Sequence, residues 1–343
     1  MISMQLGIKN SSYLPCSMAM LGLLNCFILL YFTINAYGQG EETYQAIGGL
    51  NSNATEGGQF NAPIGVAVDS EGNVYVADSV NNKIKKFTSA GQFVTEWGSP
   101  GEGNAQFNAL DGVAVDSSDH LYIVDHYNNR VQKFTKDGDF VTAWGSYGFG
   151  NNQLNFPQGI AIDSSGNVYV VDSGNDRIKK FTSAGQFVAA WGSSGNAQGQ
   201  FAFPVGISID PSDNVYVVDS NNNRVQKFTK DGDFVKAWGS NGPDTGMFNI
   251  PHYVATDASG NVYVADTSNN RIQKFSGDGQ FITVLGSSGQ EGVLNSLTGL
   301  FSGNNDKIAL SGPEGVAVNS AGNVYVVDSY NNRVLVFSNT VTK

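Results

Sequence analysis

Asn73-Val-Tyr-Val-Ala-Asp78-Ser-Val-Asn-Asn-Lys83-Ile-Lys-Lys-Phe87 recurs, with small changes, five more times along this chain of 343 residues. Its aspartate returns at Asp125, Asp172, Asp219, Asp266 and Asp328, spaced by 47 residues four times and then by 62. Five positions after each aspartate stands a base: Lys83, Arg130, Arg177, Arg224, Arg271 and Arg333. A period of about 20 to 50 residues means that each unit is one supersecondary module stacked on its neighbours.

The second unit shows what the module is. Gly112-Val-Ala-Val-Asp116 is a short apolar run (strand a), and Leu121-Tyr-Ile-Val-Asp125 is rich in β-branched and aromatic residues (strand b). Arg130-Val-Gln-Lys-Phe134 alternates and reads as strand c, with Val131 and Phe134 inward and Gln132 outward. Asp137-Gly138 then marks a hairpin leading to Phe140-Val-Thr-Ala-Trp144, strand d. Strands a and b lack alternation, so both faces should be buried. Four antiparallel strands, driest at the inside, describe one blade of a propeller. A solenoid of stacked hairpins is the alternative, but it needs distinct end caps. Instead, the sixth unit stops after strand c at Val334-Leu-Val-Phe337, and a spare strand, Tyr44-Gln-Ala-Ile47-Gly48, stands at the other end of the repeat region. The expectation is an all-β, six-bladed propeller of four-stranded antiparallel blades, its ring closed by an N-terminal strand completing the last blade. Closure removes the open strand edges that invite aggregation.

The repeat fills residues 39–343 and leaves a leader. Residues 18–34 form an uncharged apolar run, and Ala36-Tyr-Gly38 follows with small residues where a signal peptidase reads. Residues 1–38 are therefore expected to be an export signal cleaved after Gly38, the alternative being an uncleaved membrane anchor. The expected location is extracellular or cell surface, with membrane contact only through an uncleaved anchor. Both cysteines, Cys16 and Cys26, lie in this leader, so the remaining chain has none for a disulfide or a zinc site. The formal net charge of −11, with 19 Lys and Arg, argues against a nucleic-acid partner, which needs clustered bases.

The phrase Pro157-Gln-Gly159-Ile-Ala-Ile-Asp163 followed by Gly166-Asn-Val-Tyr-Val-Val-Asp172-Ser-Gly-Asn-Asp-Arg177-Ile-Lys-Lys-Phe181 resembles the NHL repeat, and the resemblance covers residues 44–338. It implies the six-bladed propeller. NHL families include RNA-binding regulators, the amidating lyase of peptide processing and extracellular sensor or adhesion domains, so the resemblance implies no single activity. In the lyase, a histidine in a Pro-His lead-in is one of three zinc ligands. Pro251-His252 matches that position, but the chain has only His120, His126 and His252, and the other two ligands are absent.

A group that recurs six times is scaffold, because a catalytic group has no reason to be repeated in every blade. The pairs Asp78/Lys83, Asp125/Arg130, Asp172/Arg177, Asp219/Arg224, Asp266/Arg271 and Asp328/Arg333 are thus read as pins across the b–c turn. Trp97, Trp144, Trp191 and Trp238 are read as blade-to-blade packing. Function is sought where the repeats differ. In the Pro-x-Gly lead-in to strand a, the middle residue is Ile64, Asp111, Gln158, Val205, His252 and Glu314 in turn. These should ring the mouth of the central channel, with His126 on a neighbouring turn. A second break is an insertion at 287–312, on the same face.

Three functions follow. The first is an exported binding module taking a protein, peptide or glycan through its loop face at Asp111, Gln158, His252, Glu314 and His126, with no cofactor. The second is a metal-dependent enzyme of lyase or lactonase type, with a divalent ion held by Asp111, His252 and Glu314. The third is a cell-surface structural unit.

Overall fold

The computed structural model describes residues 43–50, 58–286 and 309–340. The leader at 1–38 and positions 287–308 of the insertion lie outside the described residues. Among the described residues no helix is long and apolar enough to cross a membrane.

Thr43–Thr340 is an all-β propeller of six four-stranded antiparallel blades. Blade two is typical, with strands Leu110–Val115, Leu121–Asp125, Arg130–Phe134 and Phe140–Trp144 from the inside outward. Strand b is wholly buried in all six blades, which is why it is four apolar or aromatic residues in a row, closed by the repeated aspartate. Strand c departs from the expected alternation. Gln132 is fully buried, because its amide donates to the Gln106 carbonyl at 2.7 Å and to Asp125 at 3.1 Å. A buried polar side chain is tolerated once its hydrogen bonds are made.

The last blade is built from both ends of the repeat region. Pro313–Val318, Val324–Asp328 and Arg333–Thr340 supply its inner strands, and Thr43–Gly49 pairs antiparallel with Arg333–Thr340 on the outside. Tyr44 completes the seam. In blade one the Tyr75 hydroxyl and Lys86 both donate to the Lys136 carbonyl, on the next blade's hairpin. Tyr216 and Lys227 do the same at the Gly277 carbonyl. Blade six lacks that hairpin, and the Tyr44 hydroxyl stands in for its carbonyl, 2.8 Å from the Tyr263 hydroxyl and 3.1 Å from Lys274 Nζ.

Neighbouring blades are stitched by one repeated hydrogen bond. The last residue of each b–c turn (Asn82, Asn129, Asp176, Asn223, Asn270 or Asn332) takes a left-handed conformation, which Asn and Asp adopt more readily than other side chains. Its Oδ1 accepts the backbone N–H that opens the next blade: Ala109, Phe156, Phe203, Ile250, Gly312 and, closing the ring, Ala62. Each tryptophan of strand d lies against the next blade's strand-c phenylalanine. Trp97 and Phe134 have ring centroids 6.3 Å apart, and Trp238 and Phe275 6.0 Å.

Candidate functional site

The recurring Asp and Arg lie in the b–c turns. Arg130, Arg177, Arg224, Arg271 and Arg333 each donate Nε to the aspartate five residues before, at 2.6–2.7 Å. The same carboxylates accept backbone N–H groups, as Asp125 does from Asn108 at 2.8 Å. Blade one differs: Lys85, not Lys83, meets Asp78, at 3.0 Å, while Lys83 turns to Glu96. The Lys83 stem has no planar fork to reach back across the turn, whereas an arginine does.

The lead-in residues gather where the six innermost strands adjoin. The backbones there are so close that a Cβ on Gly206 would collide with the His252 carbonyl, and one on Gly65 with the Asp111 carbonyl. Blade five has Tyr253 where the other five blades carry Gly65, Gly112, Gly159, Gly206 and Gly315. Its side chain crosses to blade two, on the opposite side of the ring, and its hydroxyl donates to Asp111 Oδ1. Tyr253 therefore bars the channel, and both partners of the bar are buried. The Gly-to-Tyr change was visible in the sequence, but its partner 142 positions away was not.

Around this bar the polar lead-in residues come together. Gln158 Nε2 donates to Asp111 Oδ2 at 3.3 Å, leaving Gln158 Oε1 buried without a partner. The His126 ring meets the Pro157 carbonyl at 2.9 Å through Nδ1, and lies 3.9 Å from Asp111. Burial pushes the Asp111 carboxyl above its ordinary range, although His126, Tyr253 and Gln158 pull it back. Burial, reinforced by the charge of Asp111, pushes Glu314 up to about 8. Burial lowers His252, against the pull of Asp111, so its imidazole is neutral near pH 7. Burial and Asp111 raise the Tyr253 hydroxyl well above its ordinary value. Among the described residues no group of three or more His, Cys, Asp or Glu is placed to hold a metal ion. His120 lies elsewhere, 3.3 Å from Asp116 beside the a–b turn.

Outside the polar centre is an apolar rim that sequence reading missed. The residue before each lead-in has a positive φ. Ala62, Ala109 and Gly312 fill it in three blades, and Phe156, Phe203 and Ile250 in the other three, 40%, 42% and 45% exposed. Tyr127 packs edge-on against Phe156 with centroids 6.0 Å apart.

The opposite end holds a cavity of about 410 Å³ lined by Asp116, Asp163, Asp210, Asp257 and Asn319 among others. Those carboxylates are occupied. Burial works to raise Asp163, but Asn167, Tyr169 and Lys180 outweigh it and hold the carboxyl below its usual range.

The NHL repeat family matches residues 60–87, 107–134, 154–181, 201–228, 248–275 and 310–337. A comparison with curated protein sequences finds no match. Solved structures share the fold at low identity. Virginiamycin B lyase from Staphylococcus aureus is 15% identical, with TM-score 0.55 over 87% of this chain and 99% of that one. A gluconolactonase from Xanthomonas campestris is 14% identical, with TM-score 0.59 over 82% and 87%. An auxiliary nutrient binding protein from Bacteroides thetaiotaomicron is 13% identical, with TM-score 0.61 over 88% and 77%. At such identity the likeness concerns the fold alone.

Proposed function

The chain belongs to the NHL-repeat family, and from that premise we propose that it is an exported binding module, taking a protein, peptide or glycan on the face around the channel mouth. One observation carries the reading. The scaffold needs only a small residue before each lead-in, yet Phe156, Phe203 and Ile250 stand there half-exposed with φ of 45°, 49° and 46°. A left-handed conformation costs an L-residue about 1–2 kcal/mol, most of all a β-branched one. Ala62 and Ala109 carry the same backbone, so the conformation belongs to the scaffold; what the scaffold does not require is a large exposed apolar side chain there, and a cluster of such side chains marks an interaction surface. With the strain relieved, Ile250→Asn is expected to stabilise the protein by about 1 kcal/mol. Combined with Phe156→Ala and Phe203→Ala, it should abolish capture of any ligand found on glycan and peptide arrays. Array binding that survives in the triple variant would sink the reading.

Export rests on the apolar run at 18–34 and Ala36-Tyr-Gly38. Mass spectrometry of secreted material should find Gln39 at the mature N-terminus, and an intact chain recovered from the cytosol would refute it.

The enzyme reading keeps one observation in its favour: Asp111, His252 and Glu314 act electrostatically on a shared neighbourhood at the mouth. Elemental analysis of native protein beside the Asp111→Ala/His252→Ala/Glu314→Ala variant separates the two. Stoichiometric metal lost in the variant favours the enzyme.

A further inference from the structure

We propose that the cavity at the end of the channel opposite the mouth binds a small uncharged molecule, an apolar ring system carrying a hydroxyl group. The site is separate from the face read above as the binding surface, because Tyr253 bars the channel between them. Its volume, about 410 Å³, lies within the range of small-molecule sites. The innermost strands of five blades supply its walls, each with one half-buried side chain: Val115, Ile162, Ile209, Thr256 and Val318. Four of the five are aliphatic, and the release of water from such walls favours an apolar occupant.

The carboxylates at its opening ask for no charged ligand. Asp163, Asp210 and Asp257 each accept two backbone N–H groups, an asparagine amide and a tyrosine hydroxyl at 2.8–3.1 Å. Lysines of strand c stand beside them: Lys133, Lys180 and Lys274 lie 3.7, 3.3 and 4.0 Å from Asp116, Asp163 and Asp257. In blade six Asn319 and Val336 occupy the places of the acid and the lysine, so the two charges are lost together. These acids therefore belong to the scaffold. Asp213 is engaged by the N–H and hydroxyl of Ser164, at 3.0 and 2.7 Å. An anion would be repelled at this opening, and a cation would find the carboxylates already paired.

A second observation sets the polar part of the ligand. The wall breaks symmetry between blades four and five. Where Ser208 stands, the other five blades carry Ala, and where Thr256 stands they carry Val or Ile. The Thr256 hydroxyl donates to the Ile209 carbonyl at 2.8 Å, so Ser208 Oγ, 3.1 Å away, donates to Thr256 Oγ1. A hydroxyl oxygen has two acceptor positions. Ser208 takes one and leaves the other on a side chain that lines the cavity. Aliphatic residues fill this position in five blades, so packing does not call for the hydroxyl. One donor on an apolar body is its complement.

The test titrates the full-length protein at pH 7, by calorimetry, with naphthol and its relatives of similar shape. Naphthol should bind at one saturable site with Kd of about 1 mM or tighter. Naphthoate and naphthylmethylammonium should bind at least about tenfold more weakly, since neither charge gains a partner. Methoxynaphthalene, which lacks the donor, should bind about fivefold more weakly than naphthol, and Thr256→Val should abolish that difference. Ile162→Trp fills the cavity and should remove the site; Val115→Trp repeats the test from another blade if the first variant does not fold. Each variant is checked by its melting curve. Phe156→Ala/Phe203→Ala, at the other end of the channel, should leave naphthol binding unchanged. No saturable naphthol binding, unchanged binding in both folded tryptophan variants, tighter binding of either ion, or a loss in the rim variant would overturn the proposal. A preference for naphthol over its ether that survives Thr256→Val would overturn the assigned hydroxyl contact.

Discussion

Deleting residues 39–50 should cost about 5 kcal/mol of stability and make the propeller prone to aggregate through the strand edge it exposes. The strand lost, Thr43–Gly49, buries Tyr44 and Ala46, and Leu50 just beyond it is buried too. Fully burying a large apolar side chain is worth about 1.5–3 kcal/mol, and two such residues plus a hydrogen-bonded edge give the total. The ladder from Thr43↔Thr340 to Gly49↔Leu335 would be opened, exposing the edge of Arg333–Thr340. Lys274 and Tyr263 would lose the Tyr44 hydroxyl at the seam. The ring would not fall open at the centre, because Asn332 still holds Ala62 at 2.8 Å and the innermost strands still adjoin. Thermal unfolding followed by circular dichroism, with size-exclusion chromatography, measures both effects. An unchanged melting temperature in a monodisperse truncated protein would show that the seam contributes nothing. Tyr44→Ala should reproduce about half of the loss without the exposed edge.

The second large effect is a pH dependence centred on Glu314. Its carboxyl is raised from 4.5 to about 8 by burial and by Asp111. A carboxyl raised on folding leaves stability undiminished below the unfolded value. Stability is then lost as pH rises, because the folded state holds a proton the unfolded chain has released. The window runs from about pH 4.5 to 8, and the loss is of the order of 4–5 kcal/mol across it. Burial raises Asp111 as well, so it adds a loss of the same sign as pH rises. His252 works in the opposite sense below its unfolded value, since a lowered imidazole gains stability as pH rises. His126 and Tyr253 face the same cluster through Asp111. The difference between wild type and Glu314→Gln isolates the glutamate. The variant should melt close to wild type at pH 4.5 and well above it at pH 9. Parallel stability profiles, separated by a constant offset, would show that Glu314 is not the titrating group.

The sequence alone determined the number of blades, the strands within each and the strand that closes the ring. Those features are local and periodic: a 47-residue spacing and a missing fourth strand are written along the chain. It also marked the positions where symmetry breaks, at Asp111, Gln158, His252 and Glu314. What it could not give was the partner of each break. Gln132 reads as an outward residue of an alternating strand, and only the folded loop at Gln106 explains why it is buried. Lys85 rather than Lys83 meets Asp78, a choice decided by reach across a turn. Phe156, Phe203 and Ile250 look like ordinary loop residues until their left-handed backbone and exposure are seen together. Tyr253 stands out in the sequence only as a missing glycine. The closed ring sets blade five opposite blade two, and that brings its hydroxyl to Asp111 and bars the channel. Periodicity fixes which residues share a strand face, whereas contacts across the axis depend on closure of the whole ring, which no local pattern encodes.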